Sequence, residues 1–352
     1  MAGDNFTEFL NASSYDSGID YTTNGTLSDN DSKIQVQIAY AIGIPILCAI
    51  IIIGNLGTMY AFWKLPDLWE KPSEMLILSL SFADLMAGIV VVPLLAPLWI
   101  SPGYWPGGEI ACMMCAFSGD VAVLAGLYSL CAISIDRFLL VYKEYPQYMK
   151  IQSRRCVKIT IAIVWGMALL TGTIEMLLWD VAKNRINEIE YDFTFTKRCL
   201  TPTRRIKSFA VTLFVIASFV PVAVVSAFSA IFFVLLRKRL KKSRGMRAES
   251  QIATSDAMAQ QAMKRQQRKQ YIKPAIVLLV LDLAMAVSML PYWTYNVIVQ
   301  VFCPECLDLS SLYLVLLAEY FNSLLDPFLY VLTQRQIQRF YKTIICGNKY
   351  KP

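Results

Sequence analysis

Six carboxylic acids lie within, or at the edges of, long apolar stretches of this sequence, where an isolated charge is costly. They are Asp84, Asp120, Glu175, Asp282, Glu319 and Asp326. No Lys or Arg lies deep in these stretches to pair with them. Each acid must therefore be protonated, bound to a cation or surrounded by polar groups, which makes it a candidate functional residue. A wet outer mouth is the structural alternative for Asp120 and Glu175.

Asp84, in LSLSFADLMAG, is the strongest candidate for a cation site. Asn55 in an earlier apolar stretch, and Asn322, Ser323 and Asp326 in a later one, supply matching polar groups. Oxygen ligands on neighbouring helices would suit a small cation or an ordered water. Their order along the chain does not by itself establish that they meet.

Asp136 and Arg137 stand side by side at the end of another apolar run, in AISIDRFLLVY. Cys112 opens the same run, and as a helix the interval from Cys112 to Arg137 would measure about 37 Å. One helix therefore places the cysteine at one face of a bilayer and the ion pair at the other. No His occurs in the chain, which excludes His-based metal sites and catalytic dyads.

The elements that must position these residues are membrane helices. The chain has 352 residues, of which 56% are hydrophobic and only 17% charged, against about 25% charged in an ordinary soluble domain. Seven apolar segments approach or exceed the roughly 20 residues that cross a bilayer. We predict an all-α membrane protein, a seven-transmembrane helix bundle, with spans near 34–63, 75–100, 110–142, 157–180, 208–236, 274–302 and 310–332.

The charges indicate the orientation of the bundle. Basic residues cluster in the loops after spans three and five, which is typical of cytoplasmic loops, so the net charge of +7 does not indicate nucleic acid. The basic stretch RCLTPTRRIK departs from this pattern. The N-terminal tail has no Lys or Arg over residues 1–32 and carries four glycosylation sequons, at Asn5, Asn11, Asn24 and Asn30. We expect an extracellular N-terminus and a location in the plasma membrane.

Taken together, several motifs in order along residues 34–346 resemble those of the rhodopsin-like (class A) G-protein-coupled receptors, with a partial resemblance to the biogenic-amine receptors. The matching positions are Gly54–Asn55, LSFAD ending at Asp84, Trp105–Gly108, Cys112, DRF at 136–138, Trp165, Cys199, Pro221, Pro291 and NSLLDPFLY at 322–330.

This resemblance implies a receptor and not an enzyme, with three parts: an extracellular glycosylated tail (1–33), the bundle (34–333) and a short amphipathic eighth helix with the C-terminal tail (334–352). It implies a disulfide between Cys112 and Cys199. It also implies that Arg137, released from Asp136, contacts a heterotrimeric G protein while Tyr330, in the motif that contains Pro327, swings inward. Arrestin is a further expected partner, and no cofactor is expected beyond an allosteric sodium ion at Asp84.

For the cysteines near the C-terminal end, the sequence allows more than one chemical state. Cys303 and Cys306, in VFCPECLD, would form a local disulfide or stay as free thiols. Cys346 follows the amphipathic segment and is a palmitoylation candidate, with an unmodified thiol as the alternative.

The departures from the family pattern carry information. Met289 stands where the sixth-span tryptophan is expected, and Ser229 where a tyrosine is expected. Gly126 replaces a residue that usually helps to hold sodium. Many relatives restrain the arginine with an acid at the inner end of span six, and KRQQRKQYIKP (264–274) has none. We therefore predict raised basal signalling.

The ligand is less well defined. The position of the amine-binding aspartate falls on Gly119, and Asp120, one residue later, is turned about 100° around the helix. The candidate ligand-binding residues are Asp120, Tyr292, Trp293, Asn296 and Tyr320. Amines, other small molecules, peptides and lipids all stay open as extracellular ligands. The competing interpretations are an ion-coupled transporter, whose inverted repeats are not apparent in the sequence, and a receptor-like scaffold that binds no ligand.

Overall fold

The computed structural model describes residues 26–65, 68, 72–101, 104–143, 145–185, 198–202, 208, 211–212, 215, 219–249, 276–277, 279–280, 282–292, 294–295, 298–299, 306, 308–333 and 335–345. All regular structure in these residues is helical. The helices are α1 (Thr26–Lys64), α2 (Pro72–Met86), α3 (Val92–Ile100), α4 (Gly108–Tyr142), α5 (Tyr145–Ile151), α6 (Arg154–Lys183), α7 (Val220–Glu249), α8 (Leu309–Glu319), α9 (Phe321–Thr333) and α10 (Arg335–Ile345).

Six stretches of the described residues are long and apolar enough to cross a membrane. They are Ile34–Lys64, Glu74–Ile100, Gly108–Tyr142, Arg154–Lys183, Val220–Lys238 and Ser310–Leu332. Large apolar side chains such as Ile53 and Leu177 are exposed on their outer faces, as in helices that face lipid. The prediction of an all-α membrane protein is confirmed. The predicted span 274–302 is helical over 282–292, and part of it lies outside the described residues.

Two of the predicted spans are interrupted helices. A π-helical turn, Ala87–Val91, separates α2 from α3, and Tyr320 separates α8 from α9. The first helix begins at Thr26, before the predicted start of its span at residue 34, and so includes the sequon residue Asn30. The interruptions are the feature that hydropathy could not predict, because the average hydropathy of a segment carries no information about its backbone hydrogen-bonding pattern.

The long helix α4 occupies the centre of the described bundle and packs against α2, α6 and α7. Its start is set by Trp105, whose indole Nε1 donates a hydrogen bond of 2.8 Å to the carbonyl of Gly108. Gly108 has φ +70°, a conformation that favours glycine. The W-x-x-G pattern thus closes the turn that leads into α4.

Two cross-links hold the helices together at the end of the bundle where α4 begins. The Cys112–Cys199 disulfide, with Cα atoms 5.4 Å apart, joins α4 to the segment before α7, and this expectation is confirmed. Lys183 at the end of α6 donates to both carboxylate oxygens of Glu109 in α4, at 2.7 and 2.8 Å. The beginning of α4 is therefore linked both to the segment before α7 and to the end of α6.

Asp308 caps α8 by accepting a hydrogen bond of 2.8 Å from the N–H of Ser311. The hydrogen bonds from Ser311 lower the pKa of Asp308. Because the carboxylate is the form that caps, this contribution to folding is present above about pH 4 and is lost as the pH falls through the lowered pKa.

Helices α1 and α9 approach closely at Gly54. A Cβ atom at this position would lie 2.8 Å from Cγ of Pro327, closer than carbon atoms pack. Glycine at position 54 therefore lets the proline ring pack against the backbone of α1.

We predict that Gly54→Ala lowers the free energy of unfolding by about 1–3 kcal/mol, the usual cost of overpacking. Thermal unfolding of the purified protein measures this effect. Gly43→Ala is the matched control on the same helix, because a Cβ atom there meets nothing within 4 Å; it should be neutral or slightly stabilising. Equal melting temperatures for the two variants would contradict the prediction.

Candidate functional site

The centre of the bundle contains a hydrogen-bonded polar group built on α1, α2 and α9. The Ser323 hydroxyl donates to Oδ1 of Asp84 at 2.7 Å. Asn55 donates from Nδ2 to the carbonyl of Ser323 at 3.2 Å and to that of Ile51 at 3.0 Å. Asn55 is fully buried and Asp84 is 4% exposed. These hydrogen bonds thus join three helices. From the sequence, the order of these residues along the chain was known, but not that they are in contact.

The carboxyl groups of Asp84 and Asp326 are close enough to share a hydrogen bond. Several buried oxygens of this polar core accept no hydrogen bond from any other donor in the described residues. They are Oδ1 of Asn55, Oδ2 of Asp84, Oδ1 of Asn322 and both carboxyl oxygens of Asp326. Buried acceptors without donors are costly. Each of these oxygens is therefore available to a proton, a water or a cation.

A cavity of about 30 Å³ adjoins this core, and Asp84, Asn322 and Ser323 are among its lining residues. That volume admits about two waters, or an ion with part of its hydration shell. The donor set is all oxygen, which fits the expected sodium ion. Gly126 also lines the cavity and supplies no side-chain oxygen, so any cation would rely more on the acids.

Tyr320 lies in the same buried cluster as Cys112, towards the end of the bundle where α4 begins. This residue is 3% exposed and lies within electrostatic reach of Asp120, Tyr292 and Glu319. Its hydroxyl is 3.7 Å from where a Cβ atom of Gly119 would lie. Asp120 and Tyr292 therefore each lie within electrostatic reach of Tyr320, whereas Trp293 and Asn296 lie outside the described residues.

At the opposite end of α4, the carboxylate of Asp136 is held from two directions. Its Oδ2 lies 3.6 Å from Nη1 of Arg137. Its Oδ1 accepts hydrogen bonds from the Tyr148 hydroxyl at 2.9 Å and from Nε2 of Gln152 at 2.8 Å. Tyr148 lies on α5 and Gln152 directly after it, so the short helix α5 is fastened to the ion pair.

Glu74 is a second acid near Arg137 that sequence reasoning missed. It lies in the first turn of α2, is 6% exposed, and interacts electrostatically with both Arg137 and Tyr330. Tyr330 itself is fully buried. Tyr148 and Gln152 were missed as well, because nothing in a loop sequence shows which of its polar side chains folds back onto a helix. For Glu74 the only signal was an acid at the inner end of an apolar segment.

Among the departures from the family pattern, Met289 falls at a buried position, whereas Ser229 and Gly126 are partly buried. Met289 and Met285 are 6% and 1% exposed, and Ser288 donates to the carbonyl of Met285 at 3.1 Å. Asp282 neighbours Ser229 across the bundle. Trp165 donates from Nε1 to the Ser79 hydroxyl at 3.0 Å, which joins α6 to α2.

Some of the remaining predicted positions lie in the described part of the structure and others do not. Cys306 is disulfide-bonded. The sequons at Asn5, Asn11 and Asn24, together with Cys303 and Cys346, lie outside the described residues.

Residues 54–330 match the family described as 7 transmembrane receptor (rhodopsin family). This match covers most of the chain and includes the polar core and the Asp136–Arg137 pair.

Individual relatives are distant. The chain is 25% identical over 260 residues to the neuropeptide CCHamide-1 receptor of Drosophila melanogaster, covering 72% of this chain and 49% of the relative. It is 26% identical over 189 residues to the 5-hydroxytryptamine receptor 2B of Dichotomyctere fluviatilis, covering 54% and 39%. It is 24% identical over 325 residues to the adenosine receptor A3 of Ovis aries, covering 92% of each chain. The chain thus spans half or less of the length of the first two relatives and nearly all of the third.

We predict that Asn55→Ala lowers the free energy of unfolding by about 1–3 kcal/mol, because it leaves the buried carbonyl of Ser323 without its donor and opens a small cavity. Thermal unfolding again provides the measurement. Thr58→Val, one turn away, is the matched control, since within the described part of the chain the Thr58 hydroxyl donates to the carbonyl of Gly54 in its own helix and to no other helix. A control that loses as much stability as Asn55→Ala would show that the link between helices is unimportant.

Proposed function

The chain belongs to the rhodopsin family of seven-transmembrane receptors, and from this membership we propose that it converts the binding of an extracellular ligand into activation of a heterotrimeric G protein. The family consists of receptors and not enzymes, and the chain is a multi-pass membrane protein. Membership of this receptor family gives no support to the alternative interpretation of the chain as an ion-coupled transporter. Arrestin is a further proposed partner on the cytoplasmic side.

The proposal includes a complete seven-span bundle with the N-terminus outside the cell. Segment 282–292 would belong to the sixth span, and α8 and α9 would together form the seventh. Helix α10 would be the amphipathic eighth helix, since Ile337 and Phe340 are buried while Arg339 and Lys342 are exposed. It would lie along the cytoplasmic face of the membrane, with Cys346 just beyond its end available for palmitoylation.

The observation that carries the proposal is the arrangement around Asp136. Burial of a charged pair at the end of a membrane helix costs free energy, and such pairs are therefore rare outside functional sites. Here the acid accepts two hydrogen bonds from the α5 region while it holds the arginine. Separation of the arginine from this acid would expose a cation at the face where a G protein docks.

Activation would be a shift between two populations. A ligand favours the open state only to the extent that it binds that state more tightly than the closed one. In the closed state Arg137 would be restrained by Asp136 on its own helix and by Glu74 on α2. Because segment 264–274 supplies no acid, we expect measurable basal signalling whose level is set by these contacts.

The ligand is proposed to bind near Asp120, Tyr292 and Tyr320. The names of the relatives include a neuropeptide receptor, a 5-hydroxytryptamine receptor and an adenosine receptor, so small molecules and peptides are both in the proposed class. Asp120 would attract a cationic group in either. Trp293 and Asn296 are proposed to complete this pocket.

The direct test is nucleotide exchange on a panel of purified G proteins by the receptor in lipid nanodiscs, screened with amines, peptides and lipids. Exchange that rises with one ligand class supports the proposal, and Arg137→Ala should abolish it. A folded, surface-expressed receptor that stimulates no G protein with any class, or a protein that instead accumulates solute in vesicles, would refute it.

We predict that Tyr148→Phe and Gln152→Ala each raise ligand-independent nucleotide exchange, by up to about tenfold, because each removes a hydrogen bond to a charged group. Basal exchange at matched surface expression is the measurement. Tyr142→Phe is the control, since this exposed tyrosine at the end of α4 stacks on Phe138 with its ring. Basal exchange equal to wild type in both variants would show that α5 does not restrain the pair.

We predict that Asp120→Asn reduces the potency of a cationic agonist by about tenfold or more and leaves an uncharged agonist unaffected. Concentration–response curves for nucleotide exchange provide the measurement. Asp180→Asn, an exposed acid on α6, controls for the general loss of negative charge. Unchanged potency would remove Asp120 from the binding site.

A further inference from the structure

The hydroxyl of Tyr295 makes two hydrogen bonds to the backbone of a single residue, Asp308. It donates to the Asp308 carbonyl oxygen at 2.7 Å and accepts from the Asp308 N–H at 2.8 Å. A phenolic hydroxyl has one proton to donate and lone pairs that accept, so both of its functions are used on Asp308. Tyr295 lies in helical backbone three residues after Tyr292, and Asp308 caps α8. The two bonds therefore tie the helical residues near Tyr292 to the beginning of α8.

Asp308 is a well-ordered anchor for these bonds. Its carboxylate accepts from the N–H of Ser311 at 2.8 Å, and its carbonyl also accepts from the N–H of Leu312 at 2.9 Å. A carbonyl oxygen has two lone pairs, so Tyr295 and Leu312 can share it. Cys306, two residues before Asp308, is disulfide-bonded. Because the helix start already orders this backbone, the bonds to Tyr295 require little further loss of conformational freedom.

This contact lies towards the end of the bundle where α4 begins. Tyr320, which follows α8, belongs to the same buried cluster as Cys112, and α8 packs against α3. At this end the Cys112–Cys199 disulfide joins α4 to the segment before α7, and the ion pair of Lys183 joins α6 to α4. The bonds from Tyr295 join a different pair of elements and are therefore a third cross-link.

The proposed ligand pocket lies beside this third cross-link. Residues three apart on a helix share a face, so Tyr292 and Tyr295 face the same way. Tyr292 lies within electrostatic reach of Tyr320, while Tyr295 bonds to Asp308 at the other end of α8. A ligand that enters between these tyrosines and α8 has to separate Tyr295 from Asp308.

We propose that Tyr295 is a clamp on Asp308 that limits the opening of the bundle, and so sets the rates at which ligand enters and leaves the pocket near Asp120, Tyr292 and Tyr320. The inference rests on the proposed function for the nature of what enters. Tyr295 is partly exposed and Asp308 is exposed, so water competes for both bonds and the clamp can open locally without global unfolding. Because the clamp is closed in the free and in the occupied receptor alike, its loss would accelerate entry and exit and leave the affinity nearly unchanged.

Cys115 can report this opening. It is a free thiol on α4, is 2% exposed, and lies within electrostatic reach of Asp120 and Tyr320. A membrane-impermeant cationic thiol reagent, the methanethiosulfonate MTSET, needs an aqueous path and a reactive thiolate. It can therefore modify Cys115 only when the pocket opens to water.

The test measures the rate of MTSET modification of Cys115 by mass spectrometry, on the full-length receptor in nanodiscs without ligand or G protein. Tyr295→Phe removes only the hydroxyl and should raise this rate by about three- to tenfold, as expected for the loss of two hydrogen bonds at an exposed site. Tyr40→Phe is the matched control and should leave the rate unchanged. Tyr40 packs against the same buried cluster, and its hydroxyl makes no hydrogen bond within the part of the chain that the structure describes.

Cys131 distinguishes the clamp from a general loosening of the bundle. It is a free thiol farther along α4, and its Sγ donates to the carbonyl of Pro221 at 3.4 Å. Its rate of modification should be the same in the wild type and in Tyr295→Phe. A Cys115 rate that Tyr295→Phe leaves unchanged, or equal acceleration at Cys115 and Cys131, would overturn the proposal. Because ligand and G protein are absent, either result leaves the receptor proposal standing, and a failure to stimulate G protein leaves the clamp standing.

A measurement on the wild-type receptor covers the case in which Tyr295→Phe does not fold. The Asp308 N–H has the Tyr295 hydroxyl as its acceptor. Amide hydrogen exchange resolved to single residues should therefore show this N–H protected by about threefold or more. Exchange at Asp308 as fast as in an unstructured peptide would show that the clamp is not closed, and would overturn the proposal.

Discussion

The described structure depends on the burial of acids in a bundle that offers them few bases. Asp84 shows how this constraint is met. Its carboxylate receives the Ser323 hydroxyl at 2.7 Å, while Asn55 reaches the backbone of the same serine. Because these bonds join α1, α2 and α9, the solvation of one acid also fixes how three helices pack. In a membrane no external water can replace such bonds, so polar solvation and helix packing are a single requirement.

The same requirement is met differently at the end of α4 that carries Asp136 and Arg137. Asp136 is fully buried and has Arg137 beside it, but an ion pair at 3.6 Å does not satisfy all of its oxygens. The rest comes from Tyr148 and Gln152, which belong to the loop region that follows α4. In the described residues the pair is therefore held within α4 and by the region that follows α4.

The sequence predicted the class of fold and many members of the site but not their geometry. The lengths of the apolar segments predicted the helices. The helical rise per residue correctly placed Cys112 and Arg137 near opposite ends of one helix. The family motifs placed Cys112 opposite Cys199, which the structure confirms. Hydropathy did not predict the π-helical turn at Ala87–Val91 or the break at Tyr320, because a change in the backbone hydrogen-bonding pattern does not alter the hydropathy of the segment. Glu74, Tyr148 and Gln152 were missed because their roles depend on contacts between segments far apart in sequence or in a loop.

Helices α8 and α9 together run between the two ends of the described bundle, and the break at Tyr320 divides them. Above it Glu319 and Tyr320 face the cavity and the outer pocket; below it Ser323 holds Asp84, and Pro327 packs on Gly54. Tyr330 then lies near Glu74, which also interacts with Arg137. A rigid helix would transmit any outer displacement along its whole length, whereas two shorter helices can move separately unless something joins them. How far α9 follows a movement of α8 therefore depends on the contacts that hold α9 in place, namely the hydrogen bond from Ser323 to Asp84 and the packing of Pro327 on Gly54.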